Sequence, residues 1–200
     1  GKVIAIEKDK ELIPELQERF LRDIEGFRLD LLEEDILDID PSAMDFNKNP
    51  RTKNRPYKVI ANIPYYITNA IIRLFLETKS QPHLMVLLIQ KEVAERILAR
   101  DGKESILSIA VKAYGTARIE AKVPAGAFNP PPKVDSAILV ISDISKKLFE
   151  DIGDTANSEK GNTAIAEKMF FKAVRAGFAH KRKKLASNLT AVYKKDKIAD

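Results

Sequence analysis

Apolar residues along the chain fall into six blocks of strand length: Lys2–Glu7, Phe27–Leu32, Lys58–Asn62, His83–Gln90, Ala117–Val123 and Ser136–Ile141. Between them the spacing becomes helical. Leu12, Leu16 and Phe20 share one predicted helix face, and Asn69–Glu77, Lys91–Arg100 and Ile106–Tyr114 read as three further helices. Residues 40–57, rich in Asn, Lys, Arg and Pro, read as a loop, and residues 143–163 as a linker. In a last helical region Met169, Phe170, Val174 and Phe178 form the apolar side, with Gly177 as a break. The alternation predicts the α/β class, with a mostly parallel sheet and helices on both faces.

Composition narrows this only slightly. Two hundred residues with 44% apolar content suit one domain plus an appendage. The absence of cysteine excludes disulfides and thiolate metal sites, as expected for a reducing, cytoplasmic setting. The longest apolar run, Leu84–Ile89, is far too short to span a bilayer, so no membrane role is expected. Charge placement says more. Residues 1–163 hold 24 basic against 26 acidic residues, whereas residues 164–200 hold ten against three. That polarity fits a catalytic body with a nucleic-acid grip; the plainer meaning of the basic run Lys181-Arg182-Lys183-Lys184 is a solvated face.

The chemically suggestive stretch is Asn62-Ile63-Pro64-Tyr65, where a strand stops and a helix follows. Pro64 lacks an N–H and disfavours helix at Ile63, so an extended turn must present Asn62 and Tyr65 at the strand's carboxyl end. Open α/β sheets bind ligands there. The Asn62 side-chain oxygen and the carbonyl of Ile63 or Pro64 are placed to accept the two hydrogens of an exocyclic base amine, localising its lone pair for attack on a methyl group. Tyr65 would stack on the base. The plainer alternative is an ordinary strand-to-helix turn with Asn62 as a helix cap and Tyr65 half-buried. Glu7 ends the first strand, where a carboxylate binds ribose hydroxyls or faces solvent, and Asp35 sits just past the second, where it can accept from an adenine amine. Phe128, beside Pro130-Pro131-Pro132, is either a rigid platform against a flipped base or a loop anchor. His83 has no companion at ligand spacing, and no metal site is expected.

Taken together, Ile6-Glu7, Glu34-Asp35, Asn62-Ile63-Pro64-Tyr65, Gln90-Lys91-Glu92-Val93, Phe128 through Ser136 and Phe178 through Leu185 resemble the KsgA family of small-subunit ribosomal RNA adenine dimethyltransferases. The resemblance implies a Rossmann-like class I methyltransferase sheet with a small C-terminal helical domain. It also implies S-adenosylmethionine as donor, with Glu7 on its ribose, Asp35 on its adenine and Asn62 beside its methyl group. Asn62, Pro64 and Tyr65 would be catalytic. Pro64, Tyr65 and Phe128 would hold the target adenine, and Lys181, Arg182, Lys183 and Lys184 would grip RNA of the pre-ribosomal small subunit, the protein acting as a monomer. The expected division is a catalytic domain over 1–142, a linker over 143–163 and a basic helical RNA-binding segment over 164–200.

The family's glycine-rich loop would precede Gly1 and its helical domain would continue past Asp200, so a chain truncated at both ends is expected, binding the donor weakly or not at all but still binding RNA. Glu104-Ser105 stands where the family usually has Tyr-Gly. The alternatives are a large-subunit RNA methyltransferase conferring antibiotic resistance, which shares the Asn-Ile-Pro-Tyr turn, and a non-catalytic ribosome-assembly module.

Overall fold

The computed structural model describes residues 1–44, 56–155, 163–190 and 193; most of the 40–57 loop therefore lies outside the described residues. The chain forms two compact units interleaved in sequence, one of Gly1–Lys58 with Tyr66–Pro82, the other of Val59–Tyr65 with His83–Asp200. Among the described residues no helix is long and apolar enough to cross a membrane.

In the first unit, β1 (Val3–Glu7) pairs in parallel with β2 (Leu29–Glu33), Glu7 opposite Glu33. Parallel neighbours need a crossover, supplied by α1 (Ile13–Arg19) and α2 (Leu21–Glu25). The expected Leu12, Leu16 and Phe20 face is not the buried one. Leu12 and Phe20 fall at the two caps and are exposed, Leu16 is half-buried, and Ile13 carries the burial. Phe27 also leaves the predicted strand. It takes a left-handed conformation (φ 54°) after α2, so β2 begins only at Leu29. Farther along, α3 (Thr68–Glu77) buries Ile71, Ile72, Phe75 and Leu76 on one stripe.

The second unit holds a four-stranded sheet ordered β3 (Lys58–Asn62), β4 (Leu84–Gln90), β6 (Ser136–Ser142), β5 (Thr116–Val123). β4 and β5 both run antiparallel to β6, so they point the same way and β6 is reversed between them. Met85, Leu87 and Ile89 stand opposite Ile141, Leu139 and Ala137, and all six are fully buried. These cross-strand pairs form the spine of the core.

Helix α4 (Lys91–Leu98) ends at Ala99, whose left-handed φ of 48° stops it short of Arg100. At α5 (Ile106–Tyr114) the Glu104-Ser105 departure acquires a local meaning: Ser105 and Ser108 form a reciprocal capping box, and Glu104 accepts from Ser108 Oγ and from Lys112 Nζ. Gly115 follows where a Cβ would lie 2.6 Å from the Ser142 carbonyl, so only glycine lets β5 start against β6.

The linker expected over 143–163 contains a helix, α6 (Lys147–Thr155), because Phe149 is fully buried against Tyr114 and Phe171, with ring centroids 5.2 and 5.9 Å away. In α7 (Thr163–Gly177) the buried residues are Ala166, Phe171 and Ala176, whereas Met169 and Phe178 are exposed. The apolar side is rotated from the one expected because Phe171 stacks on Tyr114 at 5.8 Å. Glu167 accepts from Tyr114 Oη at 2.6 Å and from Lys146 Nζ at 2.8 Å. A short helix, α8 (Leu185–Leu189), follows.

Candidate active site and basic turn

The Asn-Ile-Pro-Tyr turn is organised by its least polar residue. Ile63 is 2% exposed and its N–H donates to the Leu88 carbonyl at 3.2 Å, continuing β3 against β4 for one more bond. With Ile63 held inward, Asn62 and Pro64 are left exposed on either side of it. Ile67, not Asn62, stands at the N-cap position of α3, and the Asn62 side chain has no hydrogen-bond partner among the described residues.

Tyr65 is half-buried, and its hydroxyl hydrogen-bonds Ser136 Oγ at 3.0 Å. Ser136 is 1% exposed and lies opposite Gln90 and Val123, at the start of β6 and the ends of β4 and β5. The loop carrying Phe128 closes on the same sheet end. Asp135 accepts from the Ala125 N–H at 3.0 Å through its side chain and from the Lys91 N–H at 3.0 Å through its carbonyl. Phe128 itself is half-buried, and the Asn129–Pro130 peptide bond is cis. Two loops, one with Asn62, Pro64 and Tyr65 and one with Phe128, are thus fastened to one end of the four-stranded sheet.

Glu7 and Asp35 belong to the other unit, at the carboxyl end of its parallel pair. One Glu7 oxygen accepts from the Asp9 N–H at 2.8 Å; the second has no partner among the described residues. Asp35 is more engaged. It caps a single 3₁₀ turn (Ile36–Asp38) by accepting from the Leu37 N–H at 2.9 Å, and it accepts from Lys8 Nζ at 2.6 Å. The Lys8 hydrogen bond, aided by the Leu37 N–H, holds the Asp35 carboxyl below the usual carboxylate range.

The basic segment departs from the expected helix. Lys181, Arg182, Lys183 and Lys184 are exposed in a turn between α7 and α8, closed by a bond from the Lys183 N–H to the His180 carbonyl. Gly177 ends α7, and the side chain of Asn188 reaches back to this corner. Among the described residues no group of His, Asp and Glu is suited to a metal ion, and His83 is exposed at the mouth of β4. Sequence reasoning gave no role to Lys8 or Asn188, nor to Asp135 and Ser136 within the Phe128 motif. Each acts through a partner distant in the chain or through a backbone group.

A family model described as ribosomal RNA adenine dimethylase matches residues 1–199. The chain belongs to the ribosomal RNA adenine dimethylase family. It is 40% identical over 189 residues to a ribosomal RNA small subunit methyltransferase A of Dehalococcoides mccartyi, covering 94% of this chain and 57% of that protein. A Fusobacterium nucleatum protein of the same name is 38% identical, with 100% of this chain and 67% of that protein covered. The chain thus spans little more than half the length of the Dehalococcoides relative. Among solved structures, a dimethyladenosine transferase from Plasmodium falciparum is similar at TM-score 0.69 and 30% identity, over 94% of this chain and 59% of that one. The 23S rRNA methyltransferase ErmE is similar at TM-score 0.66 and 22% identity, over 98% and 68%, a likeness of fold alone. For this dimethylase-family chain the fold is accordingly that of the Rossmann-like methyltransferases.

Proposed function

We propose that the protein transfers methyl groups from S-adenosylmethionine to the N6 amines of two adjacent adenines near the 3′ end of small-subunit ribosomal RNA, during ribosome assembly and as a cytoplasmic monomer. The observation that carries this is the turn at residues 62–65, where burial of Ile63 exposes an uncommitted Asn62 amide beside Pro64 and an anchored Tyr65. Relatives named for small-subunit methylation support the substrate class.

In this reading Asn62 Oδ1 and the carbonyl of Ile63 or Pro64 accept the two amine hydrogens, which turns the nitrogen lone pair out of the ring conjugation. Tyr65 stacks on the base, its ring held by Ser136, and Phe128 covers the base on a loop pinned by Asp135. The donor would supply an electrophilic methyl group on a sulfonium centre, each transfer releasing a neutral thioether and one amine proton to solvent. The open oxygen of Glu7 fits a ribose hydroxyl, and Asp35 fits the adenine amine once the exposed Lys8 side chain swings away from it. Residues 1–142 would carry this chemistry and 164–200 the RNA grip, with Lys181 to Lys184 on phosphates.

The test is mass-spectrometric mapping of ribosomal RNA after incubation of immature small subunits and large subunits with the protein and labelled donor. Dimethyladenosine at two adjacent small-subunit adenines is expected. Label confined to large-subunit RNA would overturn the reading in favour of the resistance enzyme, and RNA binding without label by a protein that calorimetry shows to be loaded with donor would make it an assembly module.

A further inference from the structure

We infer that Asn188 is a positioning residue that holds the basic turn in the shape that presents Lys181, Arg182, Lys183 and Lys184 together to phosphates; this rests on the reading of that turn as the RNA grip. Asn188 is 3% exposed, an unusual place for an amide side chain. Its Nδ2 donates to the Gly177 carbonyl at 2.7 Å and to the His180 carbonyl at 3.1 Å. The first is a carbonyl at the end of α7 that has no further helix to bond to, and the second opens the turn. One buried side chain thus ties both ends of the segment preceding the basic residues, and its own N–H is tied to the Lys184 carbonyl at 3.2 Å. All four basic side chains lie between these tethers.

α7 and α8 meet at this corner, where a Cβ on Gly177 would sit 3.0 Å from the exposed Leu185 Cδ1. Asn188 Oδ1 is buried without a hydrogen-bond partner, a cost the site carries while both amide hydrogens are used. A side chain kept for packing alone would shed that cost by being apolar. Like charges in sequence repel, and the exposed turn has no ion pair to hold it among the described residues, so the amide clasp supplies the restraint.

The experiment compares the 200-residue chain with Asn188→Asp, which keeps the shape but replaces both donors by a carboxylate, and with Asn188→Ala, which loses both donors without adding charge and must show the same changes. Limited trypsinolysis reads the turn without RNA: cleavage after Lys181 to Lys184 should quicken roughly tenfold in Asn188→Asp while near-ultraviolet dichroism of the Tyr114, Phe149 and Phe171 cluster stays unchanged. Filter binding to a small-subunit RNA hairpin should weaken about tenfold, with the salt slope falling by one to two units. In a background where all four basic residues are changed to glutamine, Asn188→Asp should have no further effect on RNA affinity. Cleavage and salt slope matching the parent in Asn188→Asp would overturn the inference. An unchanged RNA affinity on neutralising the four basic residues, with faster cleavage in Asn188→Asp, would instead overturn the RNA-grip reading and reduce the clasp to a structural one.

Discussion

At the scale of single residues, Ile63 fixes the backbone of the turn from the core while its neighbour Asn62 is left exposed, where the proposed function needs an acceptor. Asn62→Ala should therefore leave folding and RNA binding intact and slow methyl transfer more than a hundredfold, since a lost acceptor at a developing charge is worth about 3 kcal/mol. Single-turnover rates on immature small subunits measure it; turnover within a factor of a few of the parent would remove Asn62 from its role. Asp35 makes a separate prediction. Its carboxyl is depressed by Lys8 and the Leu37 N–H, so the stability it contributes is present above the unfolded value of about 3.9 and fades as pH falls through the lower folded value. Lys8→Gln should raise the Asp35 midpoint toward the ordinary range, read by carbon NMR of the carboxyl, and should free the oxygen that an adenine amine would use. Asn62, Pro64 and Tyr65 were legible in the sequence because a proline after a strand leaves the backbone few choices. The roles of Ser136 and Lys8 were not, because their partners lie 71 and 27 residues away.

At the scale of elements, period and length located the six strands found among the described residues, since strands buried on one or both faces announce themselves as apolar blocks. What failed was composition used as a proxy for structure. Residues 147–155 contain Lys, Glu, Asp and Gly and read as a linker, yet the buried ring of Phe149 makes the segment a helix. The basic run read as helix from its setting, yet it forms a turn because Gly177 ends α7 and Asn188 takes up the freed carbonyls. Phe149→Ala should accordingly cost about 3–5 kcal/mol in chemical denaturation, by removing a ring packed against Tyr114, Phe170 and Phe171. A loss below about 1 kcal/mol would mean that the segment is the linker its composition suggests.

At the scale of the whole molecule, the two compact units interleave along the chain, and nothing in composition marks a division that returns to residues 59–65 after passing residue 58. Charge is different: it is legible without any structure, and it separates a nearly neutral body from a strongly basic end. That separation makes a prediction about binding rather than fold. Changing Lys181, Arg182, Lys183 and Lys184 to glutamine should weaken affinity for a small-subunit RNA hairpin and lower the dependence of log affinity on log salt by about three units, because every phosphate left unneutralised keeps close to one condensed counterion in place. The four side chains are exposed in a turn, so stability should not change. Donor binding, for which Glu7 and Asp35 are the proposed residues, should be unaffected. Filter binding across a salt series decides the matter: a slope equal to the parent's would show that these charges only solvate the surface and that RNA is held elsewhere on the chain.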